Sequence, residues 1–138
     1  MFSVSGQHTN KNLTAAEKFS IGGDGTVRAY PVGYLVGDQG YTGTAELRWS
    51  PTALTIGRLE MAGILFYDFG HIVRNHDNAR VLADSNKSSI SGYGVGLNLG
   101  YGPRFLVKVS VAWQQQGKDT IAGFNRGPRA LAQASYAF

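Results

Sequence analysis

Between Phe2 and Thr9 the chain alternates. Phe2, Val4, Gly6 and His8 fall on one side, Ser3, Ser5, Gln7 and Thr9 on the other. A period of two marks a strand with one apolar face. The alternation returns over 41–50, where Ala45, Leu47 and Trp49 oppose Thr44, Glu46, Arg48 and Ser50. Over 54–70, Leu59, Met61, Leu65, Tyr67 and Phe69 oppose Arg58, Glu60, Ala62, Phe66 and Asp68. It is cleanest over 88–101: Ser88, Gly92, Gly94, Gly96, Asn98 and Gly100 face one way, Tyr93, Val95, Leu97, Leu99 and Tyr101 the other, with Ile90 out of pattern. Residues 105–116 set Phe105, Val107, Val109, Val111 and Trp113 against Lys108, Ser110, Gln114 and Gln116. A last strand is expected over 129–138, with Ala130, Ala132, Ala134, Tyr136 and Phe138 on one face.

The connections carry their own pattern. Residues 10–40 are long, polar and glycine-rich; Ser50-Pro51-Thr52 is a short turn; 71–87 is a long polar loop; Gly102-Pro103-Arg104 is tight; 117–128 is long again. Long loops at one end and short turns at the other are what an outer-membrane barrel shows. Most of the strands reach the ~9–11 residues that a tilted spanning strand needs. Aromatics cluster near strand ends, at Trp49, Tyr67, Phe69, Tyr101, Phe105, Trp113 and Phe138, where interfacial girdles would lie. The expected class is therefore all-β: an antiparallel transmembrane β-barrel segment of about six strands, with 1–138 as one unit, 10–40 a long inward-folding loop and 41–138 the remaining strands. The smallest bacterial barrels have about eight strands, and two unpaired edges in lipid are costly. A domain fragment, a truncated gene product or an oligomer is expected for that reason. The same alternation also fits a soluble β-sandwich binding module.

Composition narrows the choice. Glycine is 19 of 138 residues, about twice its usual share of ~7%. Charged residues are 16%, below the usual ~25%, and no apolar run approaches the ~18 residues of a helical span. The chain has no cysteine, which removes disulfides and thiolate metal sites. The net charge of +4 and pI near 9.5 raise a nucleic-acid partner. The basic residues are scattered rather than clustered, so none is expected. The opening Met-Phe-Ser-Val-Ser-Gly-Gln lacks a charged and then apolar leader, so no signal peptide is read there.

The stretch with most chemical content is 17–30, Glu-Lys-Phe-Ser-Ile-Gly-Gly-Asp-Gly-Thr-Val-Arg-Ala-Tyr. Gly22, Gly23 and Gly25 precede a single arginine, Arg28, set between Val27 and Ala29-Tyr30. Glycines allow a tight fold, and a guanidinium presents a planar fork suited to a carboxylate. Asp68, among the aromatics of Phe66-Tyr67-Asp68-Phe69-Gly70, is the expected partner. It shares the polar strand face with Arg58 and Glu60, the lumen face of a barrel. Glu46, Arg48, Lys108, Gln114, Gln116 and Arg129 would share that mixed polar lining. No catalytic constellation stands out. Ser88, His71 and Asp68 lack a nucleophile elbow; His71, His76 and Asp77 lack ligand spacing; and Gly92, Gly94, Gly96 and Gly100 recur at strand period rather than in a phosphate-binding turn. The reading has no enzyme, cofactor or metal.

These motifs resemble a family. Gly22-Gly23 with Val27-Arg28-Ala29-Tyr30 resembles the Val-Arg-Gly-Tyr/Phe loop of the Omp85/TpsB superfamily of outer-membrane translocators. Phe66-x-Asp68-x-Gly70 resembles the strand motif that receives its arginine. Gly6-Gln7, Leu13 and Glu17-x-Phe19-x-Ile21-Gly22-Gly23 are similar to the haemolysin secretion/activation, or two-partner-secretion, branch. Ala29 departs from the usual glycine. The likeness covers essentially the whole chain and corresponds to the C-terminal part of such a protein. The resemblance implies about sixteen strands in the full barrel, periplasmic domains before it, and passage of an unfolded partner exoprotein, of haemolysin or adhesin type, without ATP. It implies membrane lipid and the outer-membrane assembly machinery as further partners, the machinery reading Tyr136-x-Phe138 as a C-terminal signal. An Omp85-type protein for outer-membrane assembly or lipid export is the neighbouring reading.

Overall fold

A computed structural model describes residues 1–51, 57, 59–74, 86–115 and 127–137. Its strands are β1 (Phe2–Gln7), β2 (Phe19–Ile21), β3 (Leu35–Gly37), β4 (Gln39–Trp49), β5 (Leu59–Val73), β6 (Lys87–Tyr101), β7 (Phe105–Gln115) and β8 (Arg129–Tyr136). Six form one antiparallel sheet in the order β1-β4-β5-β6-β7-β8, and β2 pairs with β3 as a separate hairpin. The sheet is open, with β1 and β8 at its edges.

The six sheet strands are those expected from alternation, with shifted ends. The start expected for β5, residue 54, lies outside the described residues. Gly57 lies in a turn with φ of +63°, a left-handed conformation that interrupts a strand, so β5 begins at Leu59. Residues 52–56 and Arg58 lie outside the described residues. At its other end β5 runs on to Val73, because it is paired on both sides there, with Gln39 of β4 and Lys87 of β6. The strand thus takes in His71, which the sequence pattern assigned to a loop. Residues 10–40 are not wholly a loop. They contain β2 and β3, and β4 begins at Gln39; three-residue strands are too short to leave a periodic signal.

Parity separates two faces. On one, the rungs run Tyr101–Phe105–Tyr136, then Leu99–Val107–Ala134, Leu97–Val109–Ala132 and Val95–Val111–Ala130, then Tyr67–Tyr93–Trp113. Aliphatic rungs are therefore bracketed by two aromatic ones. This face is open: Leu47 is 67% exposed, Trp49 67% and Leu65 55%. An apolar surface of this extent marks contact with a protein or a membrane. A sandwich would bury it under a second sheet. The second sheet here is a two-stranded hairpin, and it covers the opposite face.

On that covered face, Ile21, Val27, Ala29, Tyr30 and Leu35 pack onto Phe66, Ile72, Ile90 and Ala112. All are nearly or fully buried. Each such aliphatic side chain contributes about 1.5–3 kcal/mol on leaving water. This core explains Ile90, the residue that broke the alternation of β6. It is apolar because the 19–37 segment lies over it.

Candidate functional site

The tip of the segment is built from two turns. Thr26 N–H donates to Gly23 O (3.2 Å) and Tyr30 N–H to Val27 O (3.1 Å). Gly23 N–H donates to Tyr30 O (2.8 Å), closing the tip on itself. Gly22 and Gly23 have φ of +112° and +99°, where an L side chain is strained. The hydroxyl of Thr26 accepts from Gly22 N–H at 2.8 Å. Gly25, the third glycine of the stretch, has no atom near its missing Cβ and is not needed for this shape.

The turn at 27–30 delivers Arg28 to β5. Its Nε donates to Asp68 Oδ2 at 2.8 Å and its Nη2 to Asp68 Oδ1 at 2.9 Å, a two-point fork. The backbone N–H of Arg28 also reaches Asp68 Oδ2, at 3.1 Å. Thr44 on β4 donates to Asp68 Oδ1 at 3.0 Å. The buried carboxylate thus accepts four hydrogen bonds, which is what permits a charge where the side chain is fully excluded from solvent. The remaining nitrogen of the fork, Nη1, donates to Glu46 Oε2 at 3.2 Å, and Glu46 Oε1 accepts from Arg48 Nε at 2.6 Å. Burial works against the charge of Arg28. The hydrogen bond and charge of Asp68, and then those of Glu46, outweigh it and hold its pKa above the ordinary arginine value.

Beneath the guanidinium lies Phe66, its ring centroid 3.5 Å from Cζ, a cation–π contact. The ring can lie there because its rung neighbour on β6 is Gly94. A Cβ on Gly94 would come 2.3 Å from Phe66 Cζ. Two residues along, a Cβ on Gly92 would come 2.5 Å from Ala29 Cβ. Gln114 Nε2 donates to Ala29 O at 3.0 Å, and the Tyr30 hydroxyl to Gln115 O at 3.2 Å. Gly70 faces Ile21 and Val27 in the same way. The space beside Gly70, Gly92 and Gly94 is therefore occupied by the segment and by Phe66, whereas Gly96 borders a cavity beyond Arg28.

The segment is also tied at its base. Asp38, with 0% exposure, accepts from Leu13 N–H at 2.9 Å and lies 3.7 Å from Lys18 Nζ. Its own N–H donates to Val73 O at 3.0 Å. Sequence reading missed Asp38, since its glycine-flanked context carries no strand parity. It placed Glu46 on the right face without pairing it to Arg28, and it did not single out Thr44. The register Glu46↔Phe66 and Thr44↔Asp68 was the signal that would have found both.

Other candidates are dispersed. Tyr136 lies on the open face of edge strand β8, paired with Phe105, and Phe138 is outside the described residues. His71 projects from the open face and Asp68 and Ser88 from the covered one, so the three cannot converge. His76, Asp77 and Gln116 are outside the described residues, and among the described residues no group of three metal-ligating side chains occurs. The expected mixed polar lining is divided by height. Around the tip the covered face is dry. Beyond Arg28 it opens into a cavity of about 450 Å³ bordered by Arg48, Asn98, Lys108, Ser110 and Gln133.

An open antiparallel wall of six strands, apolar on one face and carrying a docked loop on the other, is consistent with a segment of an outer-membrane barrel. Residues 1–99 match the family described as haemolysin secretion/activation protein ShlB/FhaC/HecB, and the chain belongs to that family. Its members are transporters of the bacterial outer membrane, not enzymes, and they secrete partner exoproteins. Among curated proteins the chain is similar to the heme/hemopexin transporter protein HuxB of Haemophilus influenzae strain 86-028NP, 29% identical over 112 residues, covering 79% of this chain and 19% of the relative. The protein of the same name from another Haemophilus influenzae is 28% identical over the same share. The chain thus spans about a fifth of the length of these relatives. No solved structure matches it.

Proposed function

We propose that residues 1–138 are the C-terminal part of an outer-membrane barrel of about sixteen strands, through which a partner exoprotein is secreted unfolded and without ATP. The polar face is its lumen, and residues 10–40 fold inward. Arg28, shaped by Gly22, Gly23, Val27, Ala29 and Tyr30 and received by Phe66, Asp68 and Gly70, holds that loop against the wall. The observation that carries this reading is the Arg28–Asp68 fork, buried between the loop and the sheet in a member of a secretion family. A buried ion pair adds little net stability, because both groups lose water. Its value is positional: a two-point fork has one geometry, so the loop has one seat. The wall beyond the clamp, with Arg48, Asn98, Lys108 and Gln133, offers a moving polypeptide hydrogen bonds of both kinds. The cargo is a large exoprotein of haemolysin or adhesin type; similarity to a heme/hemopexin transporter brings exoproteins of heme acquisition into the same class. Membrane lipid surrounds the open face, and Tyr136 and Phe138 serve as the signal to the assembly machinery.

Arg28→Ala in the full-length protein tests the mechanism. Secretion should fall to background while the barrel still reaches the outer membrane. Wild-type secretion from that variant would sink the proposal.

A further inference from the structure

A second site lies on the open face, where the translocation reading leaves it unused. Beyond the aromatic rung Tyr67–Tyr93–Trp113 the rungs become polar: Phe69–Ser91–Gln115, then Tyr41–His71–Ser89, then Gln39–Val73–Lys87. Here a groove of about 540 Å³ is bordered by His8, Gln39, Tyr41, His71 and Lys87. No carboxylate is among its described lining residues. His71 is held in place: its Nδ1 is 2.8 Å from Ser89 Oγ, and its ring lies 5.3 Å from that of Tyr41. Among the described residues its Nε2 has no hydrogen-bond partner. Lys87 is exposed, at the strand end.

Height says what that partner is. From Tyr93 to Tyr101 is about 26 Å of strand at ~3.3 Å per residue, or ~19 Å along the membrane normal at a ~45° tilt. An apolar band in such barrels is ~25 Å tall, so its boundary lies ~3 Å beyond each girdle. His71 is about 13 Å of strand past Tyr67, hence ~6 Å outside that boundary at the same tilt. The headgroup layer occupies ~5–8 Å on each side. Lys87 is one rung further out and can bend its stem back toward the layer. A groove with a lysine, two histidines and no acid among its described lining residues, at phosphate depth and continuous with a lipid-facing band, is complementary to a phosphate.

We infer that the groove between His8, His71 and Lys87 binds the phosphate of a lipid headgroup in the leaflet on the long-loop side. The inference rests on the reading of the open face as lipid-facing. In such a site Lys87 supplies the charge, while His71 Nε2 and the side chains of Tyr41 and Gln39 give direction.

Delipidated protein in detergent, titrated with phosphatidic acid and followed by native mass spectrometry, tests it, with diacylglycerol as the phosphate-free control. Phosphatidic acid should bind about tenfold more tightly than diacylglycerol, a preference lost in H71Q/K87Q and kept in K87R. A double variant that keeps the full preference would overturn the site. Displacement of the lipid by millimolar inorganic phosphate would overturn the lipid assignment in favour of a free-anion site; resistance to it supports the lipid. The underlying reading is checked separately with brominated acyl chains, in a background where Trp49 and any tryptophan outside residues 1–138 are replaced by Phe. Trp113 fluorescence should be quenched. If it is not, the lipid-facing assignment falls and the headgroup site with it. If it is quenched while H71Q/K87Q still discriminates, only the headgroup site falls.

Discussion

Asp68 is the residue on which the docked segment depends most. It takes both arms of the guanidinium and one backbone N–H of the loop, so its loss leaves three donors of Arg28 at once without that partner. Breaking a buried pair from one side costs about 3–5 kcal/mol. Asp68→Asn should therefore release the 22–30 tip, read as a large rise in hydrogen exchange at Thr26 and Tyr30, while the ladder amides of β5 and β6 stay protected. Arg28→Lys keeps the charge and loses the fork; it should dock more weakly than the parent and support intermediate secretion. Gly92 gives a steric counterpart. Gly92→Ala drives a Cβ to 2.5 Å from that of Ala29, and protease cleavage within 22–30 should accelerate. Ala29→Gly in the same chain should restore part of the protection. The restoration stays partial because the new Cβ also lies 3.0 Å from Trp113 O, a backbone atom. This pairing gives Ala29 a physical neighbour. Its methyl fills the space above Gly92.

At the scale of the strand, parity assigns every side chain to one of two solvents. Leu97 and Asn98 are adjacent on β6 and face opposite ways. Leu97 lies among Val109 and Gly63 in the middle of the aliphatic rungs, whereas Asn98 borders the cavity. A basic residue on the lipid side near mid-depth costs about 2–4 kcal/mol. Leu97→Arg should cut the yield of assembled barrel several-fold, and Asn98→Arg should leave it close to the parent, both measured as protein recovered in the outer-membrane fraction. Equal yields would contradict the assignment of faces. The strands were largely legible in the sequence, because strands of about ten residues repeat a period of two often enough to be read. Their ends were not. Val73 is in β5 because Gln39 and Lys87 flank it, and neither neighbour is close in sequence. β2 and β3 were illegible for the complementary reason: their three residues each owe their conformation to each other and to the sheet beneath.

For the molecule as a whole, the open face and the free edges of β1 and β8 set the behaviour. On the proposed barrel reading, membrane solvates the first and a further strand meets each of the others. Expressed with a signal peptide and supplied with the preceding strands of its barrel, the chain should fractionate with the outer membrane and change gel mobility on boiling. Recovery as a soluble, cooperatively melting species would contradict the barrel reading.

The sequence by itself determined which residues share a face, since side-chain parity is a local property of extended backbone. It determined that one face is aliphatic between aromatic limits and the other polar and glycine-rich, and that a glycine-shaped turn presents one arginine. Only the tertiary structure decided that Glu46 and Thr44 join Asp68 around that arginine, that Phe66 lies flat because Gly94 is beside it, and that Ile90 is apolar because a distant segment covers it. Those relations come from register and close approach across strands many residues apart, where a shift of one position would send every partner to the other face.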